Sequence, residues 1–228
     1  MRVITSFSRK GYDEYGSRMG VEHWPVPITV YSEDDLPIPH KKLNDPDHLR
    51  FLSGPKDEGG DYRFHAKRFS YKVYSVLDAA KEGGLLIWID GDTRAFRGIP
   101  MKFLMDLLPK GKHIAYLGRE RMHSECGFVI YDCDRLGRFF EAWRDLYESG
   151  GLYNLKEWHD SFVFDYLREK MKIPSENISG VGKNAHHPFV NSVLGKYIDH
   201  MKGNRKARGR SSKSDLVWNR PEGYWNAL

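Results

Sequence analysis

The chain has 228 residues, 40% of them hydrophobic and 14% aromatic, enough for a sizeable core in one domain or one and a half, which excludes a peptide-scale scaffold and a long disordered protein. Its 36 basic against 31 acidic side chains leave a net charge of +5, and a pI near 9.0 favours acidic partners without choosing among nucleotides, nucleic acids and anionic surfaces. Cys126 and Cys133 give no disulfide framework, the amino terminus turns charged too early for a secretory segment, and the longest apolar run, 83–89, is too short to span a bilayer. A soluble, unprocessed, cytoplasmic protein is therefore expected.

In chain order, residues 2–8 (RVITSFS) read as a β-rich run breaking into a charged loop with glycines, and 28–32 (ITVYS) as a second strand. Residues 33–62, with four prolines, several glycines and many charges, lack periodicity and are expected as a long surface excursion. From Tyr62 to Glu82 the spacing becomes helical: Phe69, Val73, Val76, Leu77 and Ala80 share an apolar face, and Arg68 and Lys72 share another. Gly83 and Gly84 end that helix. The run LLIWI at 85–89 reads as a strand covered on both faces, followed at once by Asp90-Gly91-Asp92. Beyond it, 100–109 predicts a helix, 113–118 and 127–132 two strands, 136–150 an amphipathic helix stopped by Gly150, and Asp160 opens another helix. After Gly180 the chain reads as loop with a short helix around 189–200, and 202–213 carries six basic residues and no acidic one. Alternating α and β elements imply a single α/β domain with a mainly parallel central sheet flanked by helices.

The sharpest chemical signal is Asp90-Gly91-Asp92. In an open α/β sheet ligands sit outside the carboxyl ends of strands, so a buried strand delivers these two acids to the crevice. Period-two geometry puts both on one side, where carboxylate oxygens suit Mg²⁺ or Mn²⁺ on a diphosphate, and Gly91 permits close approach. The plain alternative is an Asp-Gly turn after a strand. The second signal is His200-Met201-Lys202-Gly203-Asn204-Arg205-Lys206, where a histidine adds a ligand and Lys206 or Lys202 neutralises phosphate; the plain alternative is a surface histidine beside a solvated basic run.

Together these segments resemble the GT-A nucleotide-sugar glycosyltransferases, in which a strand ending in Asp-x-Asp holds a divalent cation on the donor diphosphate. Retaining, glycogenin-like members add a carboxyl-terminal His-x-x-Gly-x-x-Lys, matched here by His200, Gly203 and Lys206. The Pro-Trp that often follows that lysine is absent. The resemblance extends over residues 2–206 and implies a GT-A-like catalytic domain at 1–206 and a basic, aromatic arm at 207–228. It also implies Asp90, Asp92 and His200 as metal ligands for Mn²⁺ or Mg²⁺, Gly203 and Lys206 at the donor phosphates, and a nucleoside-diphosphate sugar as donor, UDP favoured. In the same family the loop after the first strand cradles the nucleotide, here Ser6 to Tyr12, with Arg9 for charge and Tyr12 for base stacking. Arg68 and Lys72 look like the basic residues that steady the donor and the first aspartate, or else are simply a polar helix face.

Glu125-Cys126-Gly127-Phe128 is similar to the segment that enters a strand beside the acceptor, so Glu125 would bind a sugar hydroxyl. Asp160 is either an N-cap or the acid that contacts the transferred sugar, with Ser161 standing where Gln often follows. Small bacteriophage-encoded GT-A-like proteins also resemble this chain, and some such enzymes glycosylate modified bases in DNA. The implied activity is hexosyl or pentosyl transfer to an acceptor hydroxyl, which includes a hydroxymethylated pyrimidine in DNA steered by the basic arm, in a host cytoplasm. Two other readings remain: transfer to a saccharide or protein, and a non-enzymatic nucleic-acid-binding protein resting on the pI, the arm and Trp218, Tyr224 and Trp225. A haloacid-dehalogenase-like phosphatase is disfavoured because Arg94 occupies the place of its Thr or Val.

Overall fold

A computed structural model describes residues 1–54, 60–179, 187–203, 205–216, 218 and 220–226. Its centre is a seven-stranded sheet in the order β3-β2-β1-β4-β7-β6-β8. The strands are β1 (Arg2–Ser6), β2 (Ile28–Ser32), β3 (Lys41–Lys42), β4 (Leu85–Ile89), β6 (Ile114–Arg119), β7 (Met122–Asp132) and β8 (Ser175–Asn177). The β1/β2, β2/β3, β1/β4 and β6/β8 pairs are parallel, whereas β7 runs antiparallel to both β4 and β6. The sheet is therefore mainly parallel, with β7 reversed. A separate antiparallel ribbon pairs β5 (Thr93–Ala95) with β9 (Ile198–His200).

The apolar run of β4 is explained by burial on both sides. Leu86 and Trp88 join one core with Val73 and Tyr74 of α3 (Ala66–Ala80), Phe139 and Trp143 of α5 (Gly137–Glu148), and Phe164 of α6 (Asp160–Lys170). Ile87 and Ile89 face the other core, with Leu104 of α4 (Met101–Asp106), Phe189 and Val190 of α7 (Pro188–Asn191), and Ile198 of β9. Strand β7 alternates in the same way, Val129 and Tyr131 to the first core and Phe128 and Ile130 to the second. Both cysteines are free and buried.

Besides the unexpected β5 and β8 and a β7 that begins at Met122 rather than Gly127, three stretches differ from the sequence expectation. The segment after β1 is a short helix, α1 (Arg9–Glu14), capped by the Ser8 side chain. The excursion at 33–62 contains α2 (Pro46–Ser53), because Asp45 caps the amides of Asp47 and His48 and Pro46 sits at the first helical position, where it has no amide hydrogen to leave unpaired. The helix expected around 189–200 is only α7 and a 3-10 turn, Val193–Lys196; it gives way to β9, which exists because β5 pairs with it.

The terminal segment, with α8 (Arg205–Arg208) and α9 (Glu222–Asn226), folds back onto the body. Arg220 pairs with Asp199 at 2.8 Å with both side chains wholly buried, and the Tyr224 hydroxyl donates to the same carboxylate. Trp218 donates its indole N–H to Asn191 O at 3.3 Å and lies under Lys196.

Candidate active site

Chain order and sheet order diverge at β1: the chain builds outward through β2 and β3, then returns to place β4 on the other side of β1. That reversal opens a crevice at the carboxyl ends of β1 and β4. A cleft of about 880 Å³ occupies it, lined by Ser6 from β1 and by Asp90, Gly91 and Asp92 after β4.

The two aspartates converge by a route other than strand alternation. Strand β4 ends at Ile89, and Asp90-Gly91-Asp92 form a turn into β5, held by the Thr93 amide and hydroxyl donating to Asp90 O at 3.1 and 2.9 Å. A side chain at Gly91 would collide with the Phe7 ring, at 2.6 Å, so the glycine serves packing against the loop after β1. The β5/β9 ribbon sets Thr93 opposite His200, and Met201 N donates to Asp92 O at 2.7 Å, so the backbone alone brings His200 to Asp92 across 108 positions of sequence. His200 Nε2 lies 3.1 Å from Asp92 Oδ1, and one ligating atom each from Asp90, Asp92 and His200 falls within 4.8 Å of the others. Gly127, across from Asp90 on β7, makes room for this: a Cβ there would sit 3.0 Å from His200 Cε1 and 3.4 Å from Asp90 Oδ2.

Two ammonium groups flank the acids. Lys72 is buried; it reaches Asp90 Oδ1 at 3.2 Å, Asp160 Oδ2 at 2.7 Å and Cys126 O, with the Trp88 ring beneath it. Burial alone would lower its pKa, but Asp160 and Asp90 outweigh that and raise it. Lys206 lies 3.1 Å from Asp92 Oδ2 and over the Tyr15 ring. Burial pushes the Asp92 carboxyl up, yet His200 and Lys206 together hold it well below the usual carboxylate range. Asp90 moves the other way, because burial outweighs Lys72 and the neighbouring Asp92 charge adds to it. For His200 the Asp92 carboxylate overcomes burial and raises the pKa.

Glu125 lines the cleft wall and accepts from Lys202 at 3.0 Å; burial raises its pKa, but His200 and Lys202 bring it below the ordinary value. Asp160 is the first residue of α6 rather than its cap, a role taken by the His159 ring, so its carboxylate is released toward Lys72. Gly203 lines the cleft in the left-handed region at φ 63°. Arg68 lines it from an exposed position, one turn of α3 before Lys72. Arg9 and Tyr12 do not join the wall: α1 turns Arg9 toward Asp13, at 3.0 Å, with its amide on Asp34, and Tyr12 onto Phe7. Tyr15, one turn later, lies in the wall instead, its hydroxyl pushed up to about 12 by burial and by Asp92 and Asp90.

Sequence reasoning also missed Trp88 as a site residue, whereas Lys202, offered with Lys206 for the phosphates, does line the cleft. Trp88 carries a legible signal, standing two positions before Asp90 on the same strand, and its indole N–H donates to Asp90 Oδ1 at 2.7 Å. Asp199 carried none, because its partners Arg220 and Tyr224 lie 21 and 25 positions away. In sum, Ser6, Arg68, Lys72, Asp90, Asp92, Glu125, Asp160, His200, Gly203 and Lys206 share one cleft, and an oxygen-rich set with one imidazole there suits a hard divalent cation.

No family model and no curated protein matches the sequence. Among solved structures, the chain is similar to the galactosyltransferase LgtC in complex with donor and acceptor sugar analogs, at 10% identity and TM-score 0.52, over 100% of each chain. It is also similar to mouse xyloside xylosyltransferase 1 in its apo form, at 9% identity and TM-score 0.50, over 77% of this chain and 84% of that one. A glycosyltransferase involved in the glycosylation of the major capsid of PBCV-1 aligns over 91% of this chain and 98% of its own, at 13% identity and TM-score 0.48. The chain's α/β body, with its mostly parallel seven-stranded sheet flanked by helices, has the fold of the GT-A glycosyltransferases.

Proposed function

We propose that this protein is a metal-dependent glycosyltransferase that moves a sugar from a nucleoside-diphosphate donor, UDP favoured, to an acceptor hydroxyl. The carrying observation is the meeting of Asp90, Asp92 and His200 at the crevice where the sheet order reverses, with Lys206 against the same carboxylate. The residues fit Mn²⁺ or Mg²⁺: two carboxylates and an imidazole, all inward-facing, within 4.8 Å. When bound, such an ion supplies Lewis-acid stabilisation of the departing diphosphate.

The chain's own groups supply the rest. The bond from the anomeric carbon to the diphosphate breaks with its electron pair on the diphosphate oxygen, the acceptor oxygen bonds to that carbon, and the acceptor proton passes to the departing diphosphate. Lys206 neutralises charge on the leaving group, with Gly203 letting the backbone approach the phosphates. Lys72 holds Asp90 and Asp160 in place, Asp160 contacts the transferred sugar, and Glu125 accepts from an acceptor hydroxyl. Ser6 and Tyr15 flank the nucleotide, and Arg68 adds charge at the mouth. Residues 1–206 make up the catalytic body, and within 207–228 Arg220 and Tyr224 brace the His200 strand through Asp199.

For the acceptor we favour a hydroxymethylated pyrimidine in DNA, as in the small phage-encoded proteins the sequence resembles, acting in a host cytoplasm; no described helix is long and apolar enough to cross a membrane. Support comes from the +5 charge and the exposed Arg208 and Lys213. Sugar transfer to duplexes containing such bases tests it, and no duplex binding at low salt removes it. The donor reading is tested by metal-dependent release of nucleoside diphosphate. Asp92→Ala is expected to abolish release in a folded protein, and normal release by that variant overturns the assignment. A protein that binds DNA but never releases diphosphate from any donor is a nucleic-acid-binding module instead.

A further inference from the structure

A second group of ligating side chains stands apart from Asp90, Asp92 and His200, and one of its members, His159, lines the cleft. His123 comes from the start of β7, and Glu157 and His159 from the turn that enters α6. Glu157 and His159 are 7% and 6% exposed, and His123 is half-buried. Both imidazoles aim Nε2 at one carboxylate oxygen: His159 Nε2 is 2.9 Å and His123 Nε2 3.3 Å from Glu157 Oε2. Ligating atoms of all three lie within 4.8 Å of one another. Zinc with bonds of about 2.1 Å in tetrahedral geometry separates its ligand atoms by roughly 3.4 Å, close to the spacings found.

We propose that His123, Glu157 and His159 form a zinc site with its fourth position open toward the cleft, where His159 lines the wall beside Tyr62. Two imidazoles and one carboxylate are the borderline donor set that zinc prefers over Mg²⁺ or Mn²⁺, whereas the Asp90, Asp92 and His200 set is harder. The ion ties the start of β7 to the first turn of α6, and so steadies the wall that carries Asp160. The rival arrangement is a carboxylate accepting one hydrogen bond from each ring. One contact favours that rival: His159 Nδ1 accepts the Phe162 amide at 3.4 Å, and ligation through Nε2 moves the ring proton onto Nδ1 and ends this cap. Losing so long a cap costs on the order of tenfold in affinity, which three protein ligands to zinc exceed by several powers of ten.

The proposal stands independently of the glycosyl-transfer reading, and so does its test. Chelator-stripped protein carrying Asp92→Asn and His200→Gln, which silences the other set, is titrated with zinc alone and the bound metal counted. One equivalent is expected to bind. Adding Glu157→Gln or, separately, His123→Ala at its half-exposed position is expected to remove that equivalent or weaken it about a hundredfold or more. Cobalt in place of zinc should give a tetrahedral absorption band that vanishes in the same variants. Failure of zinc to bind the Asp92→Asn, His200→Gln protein, or binding unchanged by both Glu157→Gln and His123→Ala, overturns the site.

Discussion

Arg220→Met puts a number on how the terminal segment supports the site. Arg220 and Asp199 pair at 2.8 Å with both side chains at 0% exposure, and the guanidinium also donates to Gly195 O and lies over the Phe96 ring at 4.6 Å. Methionine keeps much of the stem's volume but removes the charge, leaving the buried Asp199 carboxylate with the Tyr224 hydroxyl alone. Breaking one side of a buried ion pair costs about 3–5 kcal/mol. For a chain of this length each kcal/mol lowers Tm by about 2–4 °C, so a drop of roughly 6–20 °C is expected in thermal melts, with a matching shift of the urea midpoint. Pairing Arg220→Met with Asp199→Asn removes both charges and is expected to recover part of the loss, since a neutral amide suffers far less from burial than an unpaired carboxylate. Asp199 directly precedes His200 on β9, so below its melting point the single variant should also bind Mn²⁺ more weakly by calorimetry. An Arg220→Met protein that melts within about a degree of the parent, or a double variant that loses the full sum of the single losses, refutes the reasoning.

Three further outcomes follow from the same geometry. Lys72→Met leaves Asp90 and Asp160 facing each other without their shared ammonium and should cost about 3 kcal/mol in urea unfolding at neutral pH, a deficit that shrinks in acid as the carboxylates protonate. A deficit that grows in acid instead would contradict that arrangement. His48 is wholly buried, its Nε2 is 2.8 Å from Ser70 Oγ, which itself donates to Lys67 O, and its Nδ1 has no hydrogen-bond partner among the described residues. Burial, only partly opposed by Asp45, lowers its pKa to about 4. The ring is neutral when folded and protonates near 6.5 when unfolded, so its contribution is intact above about 6.5 and is lost as pH falls toward the folded value. Between pH 7 and 5 the parent should lose about 2 kcal/mol that His48→Gln does not, as read from paired denaturation curves. Gly127→Ala places a methyl 3.0 Å from His200 Cε1 and should weaken Mn²⁺ binding several-fold with little change in Tm; equal metal affinity would show that His200 yields freely.

Much of the fold is legible along the chain because it depends on local periodicity. The LLIWI run announces a strand buried on both faces, and the three-and-four spacing of Phe69 to Ala80 announces α3, whose observed span is Ala66–Ala80. Helix α2 was legible too, through Asp45 and Pro46, but the surrounding prolines and charges hid it. Strand β9 was not legible. Three residues have no periodicity of their own, and Ile198–His200 becomes a strand only because Thr93–Ala95 lies beside it. The same limit governs Arg68 and Lys72, equivalent on a helical wheel, of which only Lys72 is covered by β7 and α6 and bound to two aspartates.

By itself, then, the sequence determined which residue types are present and where they recur: an apolar strand ending in two aspartates, amphipathic helices in alternation with strands, and a distant histidine in a glycine- and lysine-bearing motif. Only the tertiary structure decided that His200 meets Asp92, that Lys72 joins Asp90 to Asp160, and that Arg220 closes over Asp199. Side chains a few positions apart are held together by the covalent chain and its local hydrogen bonds. Those 108 positions apart meet only through the register of a sheet and the burial that makes that register favourable.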